Sequence, residues 1–161
     1  MALNTGAKDT GAKDTGAKAM LDRYYPSSLD SVDLAEGEIL QAAERAGFDE
    51  DERHRIGMAV RECMVNAVVH GNRYNRNKQV HVNVSVDSSS PPCPRFFIRI
   101  TDQGEGFEPD TVPDPLHDTN LLRHSGRGLF LMGAFTDAMT VRKVAPAGTE
   151  VTLVKNIEPQ K

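Results

Sequence analysis

The chain is poor in the features that mark several function classes. It has no lysine and arginine block beyond scattered pairs, and its formal net charge is −4. A general binder of nucleic acid or of an anionic membrane carries a basic stripe, so direct contact with either is not expected. No apolar run approaches the roughly 18 to 20 residues that span a bilayer. The N-terminus lacks the apolar region of a signal peptide, and a cytoplasmic location is expected. Cysteine is scarce: Cys63 falls in a helical pattern and Cys93 in a Pro-rich loop, thirty positions apart. That spacing fits neither a disulfide framework nor a zinc site, and it leaves ordinary thiols in a reducing compartment.

Large apolar residues are also missing from the repeat "TGAKDTGAKDTGAK", of period five, that fills most of the first eighteen positions. Such a segment can bury nothing, so residues 1–19 are expected to form a disordered tail. Gly6 and Gly11 imitate the spacing of a phosphate-binding P-loop. That motif needs Gly-Lys followed at once by Ser or Thr, whereas Gly11-Ala12-Lys13-Asp14 inserts an Ala and ends in a carboxylate. The P-loop is rejected.

What remains is ordinary globular material, with 39% hydrophobic and 26% charged residues in a chain of 161. One domain is expected over 20–157, with 158–161 as a short tail. Leu34, Ile39, Leu40, Ala43 and Ala46 recur at helical spacing, and Gly47 is a natural stop. A second helix opens on "DEDE" and ends at Gly71. Two helices therefore come first. "QVHVNVSVD" alternates Val80, Val82, Val84 and Val86 with polar residues, which makes a half-buried strand. "RFFIRITDQG" places Phe96, Ile98, Ile100 and Asp102 on one strand face. After a polar, Pro-rich segment (108–125), "GRGLFLMGAF" reads as a short helix opened by glycines. "MTVRKV" and "TEVTLVKN", joined by "APAG", read as a hairpin. This order predicts an α/β (α+β) two-layer sandwich, a mostly antiparallel sheet covered on one face by helices.

Two places carry polar residues where packing would not put them, and two glycine-bearing stretches accompany them. Glu62 and Asn66 lie one turn apart on the second helix and project within about 40° of each other. Core-like Val60, Cys63, Met64 and Ala67 occupy the neighbouring arc. On this helix alone the pair also fits a solvated surface contact. Asp102 has the inward parity of an otherwise apolar strand, a costly place for a carboxylate without partners. Gly104 and Gly106 follow it and permit close backbone approach. In "SGRGLFLM", Gly126 and Gly128 precede a helix and can offer backbone N–H groups to an anion. "GTEVTL" adds Gly148 and Thr149 at a strand entry, where a simple hairpin turn accounts for them equally well.

Taken in order, "ECMVNAVVHGN", "DQGEGF", "GRGLFLM" and "GTEVTL" resemble the four sequence boxes of the GHKL ATP-binding superfamily. Within it the chain is most similar to the small bacterial anti-sigma-factor serine kinases. The resemblance runs from about Tyr25 to Leu153 and implies a Bergerat-type ATP-binding fold. It implies that Asp102 accepts a hydrogen bond from the adenine amino group, that Gly104 and Gly106 let the loop close over the nucleotide, and that the Thr149 hydroxyl helps to hold the base. Asn66 would give an oxygen to Mg²⁺, whose other ligands are phosphate and water. Gly126, Arg127, Gly128 and Leu129 would bind the phosphates, and Glu62 would be the general base.

The implied substrate is a serine of a STAS-domain anti-anti-sigma factor, and the implied second partner is an RNA polymerase sigma factor held by a homodimer. The pattern departs at His124, where the family often has Arg; Arg123 and Arg127 flank it, and a neutral His supplies no permanent charge. No helical hairpin of the histidine-kinase kind is present to make His70 a phosphoacceptor. One other reading stays open on the residues, an ATP-binding regulatory module that sequesters a partner without phosphoryl transfer. A module serving a separate histidine phosphotransfer protein is opposed by the short segment between "DQGEGF" and "GRGLFLM" and by the missing hairpin. Keeping both Glu62 and Asn66 favours transfer.

Overall fold

The computed structural model describes residues 17–89, 91–104 and 136–158. Five strands form one antiparallel sheet in the order β1-β2-β3-β5-β4. They are β1 (Ala17–Pro26), β2 (Gln79–Asp87), β3 (Arg95–Thr101), β4 (Ala138–Lys143) and β5 (Thr149–Asn156). Between β1 and β2 the chain makes α1 (Leu29–Ala46) and α2 (Glu50–Val65), and α2 continues directly into a π-helical turn, Asn66–Gly71. Helices and a mostly antiparallel sheet thus form the expected two layers.

Strand β1 corrects the expectation that two helices come first. It pairs with β2 from Ala17↔Asp87 to Pro26↔Gln79, with an irregularity between Ala19 and Leu21. As an edge strand it buries only Tyr25 completely, so it lacks the alternation that announces β2. The helix expected over "GRGLFLMGAF" lies outside the described residues, as does all of the polar segment before it (108–125).

Helix α1 buries Val32, Ala35, Ile39, Ala42 and Ala43, a stripe at steps of three and four. Leu34, expected on that stripe, instead points outward and is 45% exposed. Gly47 closes α1 in the left-handed region at φ 107°, returning its N–H to Ala43 and Glu44 carbonyls. Helix α2 is capped by Asp49, whose carboxylate accepts the Glu52 N–H at 2.8 Å. Glu50, Asp51 and Glu52 in its first turn complement the helix dipole. Its buried side chains include Ile56, Val60, Cys63 and Met64.

One core joins these stripes to the inward sheet residues Val80, Val82, Val84, Phe96, Ile98, Ile100 and Leu153. Each large side chain so buried stabilises the fold by about 1.5–3 kcal/mol. Beyond the π-turn, Arg73 and Tyr74 both take left-handed backbone, with φ of 52° and 60°. Such residues cost about 1–3 kcal/mol each, so the surrounding contacts must hold them there. They turn the chain from the helix end into β2.

Candidate functional site

Asp102 follows the last residue of β3 and keeps that strand's inward parity. It is 6% exposed. Its Oδ1 accepts two backbone N–H groups, from Gly104 at 2.9 Å and from Thr149 at 3.2 Å. Its own N–H donates to the Thr149 carbonyl at 3.0 Å. Burial raises the carboxyl pKa above the ordinary range, while those two N–H groups and the Lys78 charge oppose the rise. The result is a carboxylate fixed through one oxygen at the entry to β5.

The helix end approaches this carboxylate so closely that only glycine fits. A Cβ on Gly71 would lie 2.3 Å from Asp102 Oδ2, and a Cβ on Gly104 would lie 1.9 Å from the Gly71 carbonyl oxygen. Neither neighbour is the loose end of a flexible chain, so both contacts exclude any side chain. Gly148 completes the cradle against the Asp102 carbonyl. Gly104 was legible as a glycine that permits close approach. Gly71 was read only as a helix stop, and nothing in its local sequence reveals the contact with Asp102.

Glu62 and Asn66 sit on the same continuous helix as Gly71. The Asn66 N–H donates to the Glu62 and Cys63 carbonyls, so α-helical spacing holds from Glu62 to Asn66. Both residues are half-exposed, beside the buried Cys63 and Met64. The helix widens immediately afterwards, with the Asn72 N–H reaching back to the Ala67 carbonyl at 2.8 Å. π-turns are rare and recur at functional sites. The Cys63 thiol links the two ends of the site electrostatically. Its pKa is pushed up by complete burial, and then by the negative charges of Asp102 and Glu62. A thiol buried and raised in this way is inert.

The structure therefore brings Asp102, Gly104 and Thr149 together and sets them against the end of the helix that carries Glu62 and Asn66. Gly106, Gly126, Arg127, Gly128 and Leu129 lie outside the described residues, as do Arg123 and His124. No cluster of three His, Cys, Asp or Glu side chains able to hold a metal occurs among the described residues. The donor available at Asn66 is one amide oxygen. It suits a hard cation whose other ligands are oxygens of phosphate and water, as Mg²⁺ prefers.

Sequence reasoning passed over Asn72. It is 2% exposed and hydrogen-bonds at both ends of its amide. A Gly-Asn pair after a helix reads as an ordinary turn, so only its burial sets it apart.

Comparison with known proteins bears on the family and the fold. The sequence pattern of the histidine kinase-like ATPase domain matches residues 25–155. The serine-protein kinase RsbW of Staphylococcus epidermidis is 30% identical over 142 residues, covering 84% of this chain and 85% of that protein. Its counterpart in Staphylococcus aureus (strain MSSA476) is 28% identical over 141 residues, with the same coverage. In three dimensions the chain resembles the crystal structure of the RsbU and RsbW domains of Rv1364c from Mycobacterium tuberculosis. The TM-score is 0.61 at 15% identity, over 88% of this chain and 34% of that one. The chain thus spans about a third of the solved chain's length, and the likeness is one of fold.

Proposed function

The chain belongs to the histidine kinase-like ATPase family, and from that premise we propose that it is an anti-sigma factor and a serine-protein kinase. It transfers the γ-phosphate of ATP to a serine of a STAS-domain anti-anti-sigma factor. The observation that carries this reading is the order of groups along one helix. Asp102 packs at Gly71, Asn66 lies further toward the N-terminus, and Glu62 lies one turn beyond it. Glu62 and Gly71 are separated by about 13 Å at an α-helical rise, or slightly less through the π-turn. That is the length scale on which a nucleotide presents base, phosphates and terminal phosphoryl group in sequence.

In this reading Asp102 accepts from the adenine amino group through the oxygen its backbone partners leave available. Gly104 and Gly106 bring the loop over the nucleotide, and the Thr149 hydroxyl contacts the base. Asn66 holds the magnesium that accompanies the phosphates; when bound, that ion neutralises charge on them. Gly126, Arg127, Gly128 and Leu129 supply phosphate contacts, with Arg123 or Arg127 answering for the charge that His124 lacks. Glu62 takes the proton from the substrate serine as its oxygen bonds to the γ-phosphorus and the bridging oxygen departs with ADP. Phosphoryl transfer needs mainly alignment and charge neutralisation, so few residues suffice. The serine-protein kinases among the relatives support this choice of acceptor. A homodimer that sequesters an RNA polymerase sigma factor in the cytoplasm, without touching nucleic acid or membrane, completes the proposal.

The test is a γ-labelled ATP assay with Mg²⁺ in source-cell extract, run beside Glu62→Ala. A small phosphoserine protein labelled only by the unmodified chain is expected. No Glu62-dependent label, despite measured ATP binding and STAS proteins in the extract, would leave an ATP-binding regulatory module without transfer.

A further inference from the structure

Asn72 caps the π-turn and spends its whole amide on three separate segments. Its Oδ1 accepts the Gln103 N–H at 2.7 Å. Its Nδ2 donates to Ser27 Oγ at 2.8 Å and to the Gln79 carbonyl at 3.0 Å. Ser27 Oγ passes its own proton to the Lys78 carbonyl at 2.6 Å. Gln103, the residue directly after Asp102, is gripped a second time where its Oε1 accepts the Gln79 N–H at 2.7 Å. The backbone beside Asp102 is therefore tied to the helix end through Asn72 and to the start of β2 through its own side chain. On the far side, Thr149 holds Asp102 itself.

Only an amide satisfies this set. A carboxylate in the same place would turn an acceptor toward the Gln79 carbonyl, and an isosteric leucine would leave the Gln103 N–H and the Gln79 carbonyl without their partner. Satisfied buried networks of this kind rigidify what they touch. Here the touched segment is the one that aims the Asp102 carboxylate.

We propose that Asn72 is a positioning residue for recognition of the nucleotide base, fixing the Gln103 backbone so that Asp102 faces adenine before any ligand arrives. This rests on the reading of Asp102 as the adenine acceptor. A carboxylate aimed in this way attracts the amino group of adenine and repels the carbonyl oxygen that guanine carries there. Loss of the Asn72 amide should therefore erode the preference for ATP over GTP, whereas a residue that merely staples strand ends would lower stability and leave the preference alone.

The experiment measures dissociation constants for ATP and GTP with the full chain, Asn72→Ala and Asp102→Ala, each checked for folding by circular dichroism. For Asn72→Ala the expected result is ATP affinity weakened by about tenfold or more, the scale of one lost buried hydrogen bond, with GTP affinity within about twofold. A lower melting temperature with an unchanged ATP-to-GTP ratio would overturn the proposal. Undiminished ATP binding by Asp102→Ala would instead overturn the adenine reading beneath it. Hydrogen exchange at the Gln103 amide of the unmodified, nucleotide-free chain decides the matter if Asn72→Ala does not fold. Protection is expected, and exchange at the rate of a free loop would sink the idea.

Discussion

At the scale of single residues, Asp102 sets function against stability. Its pKa is raised in the fold, chiefly by burial. A carboxyl with a raised folded-state pKa favours folding most when protonated, below its unfolded value of about 3.9. That contribution is lost as pH climbs through the folded-state value, so at neutral pH the buried charge weighs against the fold. Asp102→Asn keeps an oxygen for the Gly104 and Thr149 N–H groups and removes the charge. It also turns an N–H₂ donor toward the place that the proposed reading gives to the adenine amino group. We expect it to melt higher than the unmodified chain at pH 7 without nucleotide, to lose that advantage near pH 3.5, and to bind ATP poorly. Thermal melts across pH, paired with calorimetric titration of ATP, measure both halves. A variant that melts lower at pH 7, or binds ATP normally, would refute the account.

At the scale of elements, legibility followed periodicity. Strand β2, strand β3 with Asp102 on its inner parity, and the β4–β5 hairpin were readable because alternation of two has no other common source. The α1 stop at Gly47 was readable for a different reason, since glycine takes the left-handed cap conformation without strain. Strand β1 was not, since an irregular edge strand with one fully buried residue leaves no rhythm. The π-turn was invisible as well: "NAVVHG" continues a helical pattern, and a change from i−4 to i−5 bonding is decided by tertiary fit around Gly71 and Asp102. Asn72 was hidden with it. The cap of α2 provides a control that separates the element from the site. Asp49→Ala removes the acceptor for the Glu52 N–H and should cost about 1 kcal/mol. Because Asp49 stands at the opposite end of α2 from Asn66, ATP affinity should stay within about twofold, on the scale where 1.4 kcal/mol is tenfold. Denaturant melts and calorimetry read the two quantities, and a large loss of affinity would show that the frame and the site are coupled more tightly than their bonds indicate.

At the scale of the whole molecule, the site draws on separated parts of the chain. Its groups come from the end of the α2 helix, the exit of β3 and the entry of β5, and Asn72 binds them to the β1–α1 junction through Ser27. A nucleotide lodged there engages elements that are distant in sequence, so it favours the folded chain as a unit. Ligand present at a hundred times its dissociation constant stabilises the folded state by about 2.7 kcal/mol. At about 2–4 °C per kcal/mol for a domain of this size, that amounts to a rise in melting temperature of roughly 5 to 11 °C. We expect this shift with ATP and Mg²⁺, a much smaller one with GTP, and almost none for Asp102→Asn at the same ATP concentration. Glu62→Ala should show the full shift, because the proposed role of its carboxylate is on the substrate proton and not on the bound nucleotide. A scanning melt of these proteins with both nucleotides distinguishes loss of binding from loss of transfer before any partner protein is in hand. Loss of the shift in Glu62→Ala would move that residue from proton acceptor to nucleotide ligand.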